Sequence, residues 1–272
     1  GGMLTEDLIL KNYESDAEKP DYILEDDLIV PAGITLSIES EHVVVHAAEN
    51  KGIIIRGTLT NAKDSISFYE ECEFRATNGW KGFLIDGGTI NLNGSEIANA
   101  GSASFEGQSE PAAITLTGTL PVIKQISEIT FVNSQSYDLL VESKILGNEH
   151  NFSRNELSYK IPVKAPVTFI QYWKDNIFPL NYDYVHLIPS GFGTADSVPF
   201  IGHVFNEGTY YIDGDFHVND IYLNSSAHLL MKENCGIYFE RGFSLNAREG
   251  SEASIAGING SSWKGIAGSY NA

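Results

Sequence analysis

Residues 22–62 read "YILEDDLIVPAGITLSIESEHVVVHAAENKGIIIRGTLTNA", and residues 211–247 read "YIDGDFHVNDIYLNSSAHLLMKENCGIYFERGFSLNA". Laid one beneath the other, they keep step. Tyr22-Ile23 falls on Tyr211-Ile212, Val30 on Val218, and Ile34-Thr35-Leu36 on Ile221-Tyr222-Leu223. Further on, His42 meets His228, Arg56-Gly57 meets Arg241-Gly242, and Asn61-Ala62 meets Asn246-Ala247. Beyond the quoted stretch, Trp80-Lys81-Gly82 falls on Trp263-Lys264-Gly265 in a chain with three tryptophans, while the offset drifts between 183 and 189. Internal repetition at this scale marks a stacked architecture, and small insertions at turns explain the drift.

A shorter period lies inside the longer one. "NSQSYDLLVE" (133–142) superposes on "NELSYKIPVK" (155–164) at an offset of 22, so that Asn133 meets Asn155 and Ser136-Tyr137 meets Ser158-Tyr159. "EIANAG", "EITFVN" and "NFSRN" mark one recurring turn, and "GSASFEGQSEP" (101–111) reads as a loop inserted into one coil. Short β-branched and aromatic runs bounded by Gly, Asn, Asp and Ser read as strands, and no run of a dozen residues has helical periodicity. Several strands in a period near 22 predict an all-β solenoid, because one such coil hides its apolar face only by stacking on the next. At the corners, asparagines such as Asn133 and Asn155 are suited to left-handed backbone and to hydrogen bonds with adjacent coils. Residues 1–20 read as a flexible lead-in and 21–272 as one solenoid domain. Its duplicated blocks cover about 21–100 and 208–272, joined by coils over 110–165 and an irregular aromatic-rich segment, 166–207.

Charge limits the partners. The 272 residues hold 36 acidic and 17 basic side chains, a formal net charge of −19. Nucleic acid is excluded as an expected partner, since phosphate binding needs a basic patch. Polyanionic sugars and anionic membranes are disfavoured for the same reason, unless a metal bridges the charges. No apolar run is long enough to span a bilayer. Cys72 and Cys235 fall at unrelated positions of the repeat and read as two unpaired small side chains.

The phrases "YILEDDLIVPAGITLSIE", "IIIRGTLTNA", "WKGFLI" and "INLNGSEIANAG" resemble modules of right-handed parallel β-helix proteins with the pectate-lyase-like superhelix. Such modules occur in exported and surface-anchored bacterial proteins, including Bacteroidetes-type lipoproteins. The resemblance covers about residues 20–100 and 195–272, and the coil period alone over 110–165; "IESEH" stands where the modules usually read "IEPGV". It implies a right-handed parallel β-helix and an exported or cell-envelope setting. It also implies two functions for weighing: a non-catalytic binding surface for polysaccharide or a surface protein, or a polysaccharide lyase or glycoside hydrolase. A structural spacer is a third. Calcium is expected only with the enzyme reading; otherwise no cofactor is expected.

Several residues are candidates for function. Trp80, Gly82, Trp263 and Gly265 recur at one coil position and read as architecture: ring packing, a glycine bend, and the lysine stem lying on the ring. The segment "FIQYWKDNIFPLNYDY" (169–184) is the place to expect a binding platform, with Trp173 and Tyr172 first and Tyr182 and Tyr184 beside them. Asp213 and Asp215 share a strand face, but their counterpart "LEDD" suggests a repeated turn. His42 and His46 lack two of the ligands a structural zinc site needs, and no nucleophile elbow or phosphate loop is present. Because the second block stops at "GIAGSYNA", its last coil is expected to be capped by its own tail or to pair end to end in a homodimer.

Overall fold

The computed structural model describes residues 1–14, 16, 19–39, 42–61, 72–143, 150–189, 203–218, 220–224, 226–239, 245–247 and 252–268. Among these the chain is an all-β parallel β-helix, with only two short 3-10 turns, Val167–Tyr172 and Ile258–Gly260. Contacts gather it into two compact units, residues 1–163 with 172–182, and residues 164–171 with 183–272.

In the first unit three parallel sheets stack coil on coil. One runs Gly2–Met3, Leu28–Val30, Gly52–Ile55, Gly82–Asp86, Ala112–Thr117, Tyr137–Val141. A second runs Leu8–Leu10, Thr35–Ile38, Thr58–Thr60, Thr89–Asn93, Val122–Ser127, Phe152–Ser153, Trp173–Lys174. The third runs Tyr22–Leu24, Val43–Ala47, Cys72–Arg75, Glu96–Ala98, Thr130–Val132. Two of these strands come from the expected lead-in, so the solenoid starts before residue 21: Leu8 pairs with Leu36, and Leu10 is buried. In the second unit the largest sheet takes the strand Val163–Pro166 from Lys164 on, then Val185–Ile188, Gly208–Ile212, Ala227–Met231 and Ser254–Gly257. Two three-stranded sheets complete it: His203–Phe205, Ile221–Leu223, Leu245–Ala247, and Phe216–Val218, Gly236–Phe239, Gly265–Gly268.

Alternation decides which side chains form the core. Along Ala227–Met231, Ala227, Leu229 and Met231 are fully buried while His228 and Leu230 face outward, the period of two that a strand imposes. Coil length is less regular than the sequence period of about 22. Lys164 pairs with His186 at that spacing, but His203 pairs with Ile221 and Glu96 with Thr130. The long coil between Glu96 and Thr130 carries the inserted loop 101–111. Phe105 of that loop is buried against Gly52, where a side chain would strike its ring, while Glu106, Gly107 and Ser109 are exposed.

The duplication holds strand for strand. Tyr22–Leu24, Leu28–Val30, Thr35–Ile38, Val43–Ala47, Gly52–Ile55, Thr58–Thr60, Cys72–Arg75 and Gly82–Asp86 correspond in order to the eight strands from Gly208–Ile212 to Gly265–Gly268. Three alignments shift. Leu36 pairs with Leu59 and Leu223 with Ala247, so Leu59 falls on Ala247, and the buried Asn61 does not correspond to the exposed Asn246. Tyr22 corresponds to Tyr210, one residue earlier than expected, because Tyr22 pairs with Val45 and Tyr210 with Leu229. The letter match would have set Ile23, 63% exposed, on the fully buried Ile212, and a one-residue slip sends every side chain to the wrong face. His42 corresponds to Ser226 instead of His228; both precede a strand and both have φ 59°. The Arg56–Arg241 correspondence lies outside the described residues.

The corner asparagines divide into two kinds. Asn99 and Asn133 have left-handed backbone, φ 55° and 52°, where their short polar side chains lower the penalty. Asn155 does not; its neighbour Arg154 takes that conformation. Asn155 is instead fully buried, accepting from the Ile129 N–H at 3.0 Å and donating to the Ile126 carbonyl at 3.1 Å one coil back. Asn176 repeats this in the next coil, accepting from the Asn155 N–H at 3.0 Å and donating to the Phe152 carbonyl at 3.2 Å.

Candidate functional site

The twin Trp-Lys-Gly motifs are structural, with parts that differ from expectation. Trp80 is 1% exposed, packs against Phe74 and Phe83, and donates its indole N–H to the Ala98 carbonyl at 3.0 Å. Lys81 leaves the tryptophan ring and donates to Asp27 at 2.8 Å, its ammonium 5.3 Å from the centre of the Phe105 ring. The other oxygen of Asp27 accepts the Gly52 N–H at 2.8 Å. The second block builds the same clasp: Asp215 accepts the Gly236 N–H at 2.9 Å and Lys264 reaches it at 3.4 Å. Gly82 and Gly265 open the following strands at φ 92° and 87°, the bend expected of them. Asp215 is therefore the repeated turn residue, and Asp213 is not.

The four aromatic candidates do not form one platform. Tyr172 and Trp173 are buried, 7% and 6% exposed, so neither offers a ring face to a ligand. The cause is local: Trp173–Lys174 is a strand paired with Phe152–Ser153, and it turns Trp173 inward onto Phe152, 5.3 Å between ring centres. Phe178 stacks on Trp173 at 5.5 Å and half-buried Tyr182 stacks on Phe178 at 4.5 Å, so these rings pack on one another. Tyr184 belongs to the other unit and is half-buried there.

Tyr184 leads to a cluster that spacing along the chain conceals. On the outward face of the second unit's largest sheet, His186 stands opposite Lys164 on one side and Tyr211 on the other, and Tyr211 stands opposite Leu230. The Tyr211 ring lies 5.1 Å from Tyr184 and 5.2 Å from His186. Just past the strand ends, Asp213 lies 3.0 Å from His186 Nε2 and 2.6 Å from Lys232 Nζ. Burial pushes the Asp213 carboxyl up, but the hydrogen bonds from Lys232 and His186 outweigh it and hold it below the usual carboxylate range. The hydrogen bond to Asp213 in turn raises Lys232. Burial, then the negative charge of Asp213, raises the Tyr211 phenol. The site thus combines two tilted rings with a carboxylate kept anionic between two nitrogen donors. The first block lacks it: Glu25 occupies the position of Asp213 and Ala48 that of Lys232.

This cluster was missed in the sequence because its members pair across coils of unequal length. The visible signal was the alternation Tyr184-x-His186, Tyr211-x-Asp213 and Leu230-x-Lys232, each coil ending the pair in a titratable side chain.

A second arrangement lies in the first unit. Glu73 and Glu96 are direct partners on neighbouring strands, and Arg75 Nη1 donates to Glu73 at 3.2 Å. Burial and the Glu73 charge raise the Glu96 carboxyl. Among the described residues no group of three His, Cys, Asp or Glu side chains is placed to hold a metal ion, and both cysteines are free. No family model, no curated protein and no solved structure matches this chain.

Proposed function

We propose that this chain is a non-catalytic carbohydrate-binding β-helix of the bacterial cell envelope, exported to where its glycan lies. The observation that carries the reading is the outward cluster of Tyr184, His186, Tyr211, Asp213 and Lys232. Its half-buried rings have apolar faces for the C–H side of a pyranose, and its polar groups stand beside them to meet the hydroxyls. The pectate-lyase-like resemblance supports the setting, since exported proteins use such rigid scaffolds to display long surfaces. A glycan-array screen, with and without calcium, tests it: specific binding that Tyr211→Ala abolishes is expected, and binding indifferent to Tyr211 refutes the site.

The Glu73–Glu96 pair favours a second reading, glycoside hydrolysis. One carboxyl is raised and the other is ion-paired, a division of acid and base roles that such chemistry uses. Reducing sugars released from a bound glycan, and lost in Glu96→Gln, would establish it.

A further inference from the structure

We infer that the glycan taken by the Tyr184–Tyr211 face is uncharged, neither a uronate nor a sulfated polymer. The inference rests on the carbohydrate reading above and narrows it. Recognition of a carboxylated or sulfated sugar needs cationic donors aimed outward. Here His186 Nε2 and Lys232 Nζ are both directed at Asp213, at 3.0 and 2.6 Å. An anionic ligand would have to share those two groups with that carboxylate, which they already hold anionic, and would meet its charge at close range.

The rim opposes anions as well. Asp183 and Glu207 are exposed immediately before Tyr184 and Gly208, and Glu233 is exposed immediately after Lys232. They flank the face on both sides, in a chain whose net charge is already −19. Among the described residues, Lys164 stands opposite His186 on this face, and the three carboxylates counter its charge. A neutral pyranose meets none of this repulsion. Its apolar face stacks on Tyr211 or Tyr184, its hydroxyl groups donate to Asp213, and a hydroxyl oxygen accepts from one of the three N–H donors of Lys232, all without separating the ion pair.

Affinity is measured by calorimetry on the full chain at low salt with three neutral probes (cellohexaose, laminarihexaose, mannohexaose) and one anionic probe, polygalacturonate oligomers. Binding of at least one neutral probe and none of the anionic one is expected. Tyr211→Ala and Asp213→Asn should each weaken the bound probe by about tenfold or more, a loss of one stacking or one charge-assisted contact. Tyr13→Ala, an exposed ring on the other unit, should leave affinity unchanged, and circular dichroism checks that each variant is folded. Binding of polygalacturonate alone overturns the uncharged-ligand inference and leaves the carbohydrate reading standing. No binding to any of the four probes, followed by a blank glycan array, overturns both. Neutral binding unaltered by both substitutions moves the ligand away from this face and overturns the inference.

Discussion

Substituting the tryptophan of each twin motif separates a shared sequence from a shared energetic role. Trp80 is 1% exposed, with Phe74 and Phe83 around it and its indole N–H on the Ala98 carbonyl. A buried tryptophan removes about 150–250 Å² from water, which at about 25 cal/mol per Å² is worth about 4–6 kcal/mol. Truncation also leaves Ala98 without its donor, a further loss of about 1 kcal/mol, while the retained Cβ and partial collapse of the cavity bring the measured loss down to about 4 kcal/mol. Trp263 is only half-buried, so Trp263→Ala should cost about 2 kcal/mol or less. Urea unfolding followed by tryptophan fluorescence and circular dichroism reads both. At a slope of about 2–3 kcal/mol per M, Trp80→Ala moves the midpoint of its transition down by about 1.3–2 M, and Trp263→Ala by half of that or less. Trp80→Phe, which keeps a ring and loses the donor, should fall between. Equal losses at the two sites, or a loss below about 1.5 kcal/mol at Trp80, would refute the argument that burial and not the motif sets the energy.

The glycine of the same motif offers a parallel contrast. A Cβ on Gly82 collides with the Ala113 carbonyl in addition to adopting φ 92°, so Gly82→Ala should cost more than about 3 kcal/mol, whereas Gly265 at φ 87° has nothing near it and Gly265→Ala should cost about 1 kcal/mol. Asp138, fully buried, accepts from the Ser158 and Tyr159 N–H groups at 2.9 and 3.0 Å; Asp138→Ala orphans both and should lose about 3 kcal/mol in a thermal or urea melt. Burial raises the Asp138 carboxyl despite those bonds, so its contribution is complete at low pH and is lost as pH rises through its folded value; Asp138→Asn should flatten that slope in stability-against-pH curves. Asp213 carries the opposite sign. Its lowered carboxyl contributes above the ordinary aspartate range and is lost on acidification through its folded value, so Asp213→Asn should blunt the acid limb in the same measurement.

Much of the architecture was legible because a solenoid writes its geometry into repetition. Trp80 and Trp263, Gly82 and Gly265, and the aspartates that clasp the following lysines recur because each coil poses the same steric problem. Letters alone misplaced Tyr22 and His42, since identity between residues is blind to which face a strand turns inward; pairing of Tyr22 with Val45 and Tyr210 with Leu229 settles it. Trp173 misled for a related reason. A ring in a run of aromatics looks displayed, yet one more parallel pairing, to Phe152, makes it core. The His186–Tyr211–Asp213–Lys232 cluster was the least visible. Its contacts cross coils of different length, and no fixed spacing along the chain announces them.

The asparagines that bridge successive coils have a consequence for how the coils find one another. An apolar coil is a poor judge of its neighbour: one Ile-x-Ile strand will stack on almost any other, so a growing solenoid risks skipping a rung. Asn155 and Asn176 forbid the skip. Each accepts from a backbone N–H and donates to a backbone carbonyl of the coil before it, and Asn155 also donates to the Asn176 side-chain oxygen at 2.9 Å. A chain that passed over one rung would entomb the unanswered amide of Asn155, at about 1–3 kcal/mol, and leave that of half-buried Asn176 unmatched. The polar thread inside the core thus acts as a counter, admitting coils only in their written order, a guard against mispairing that the hydrophobic effect does not provide.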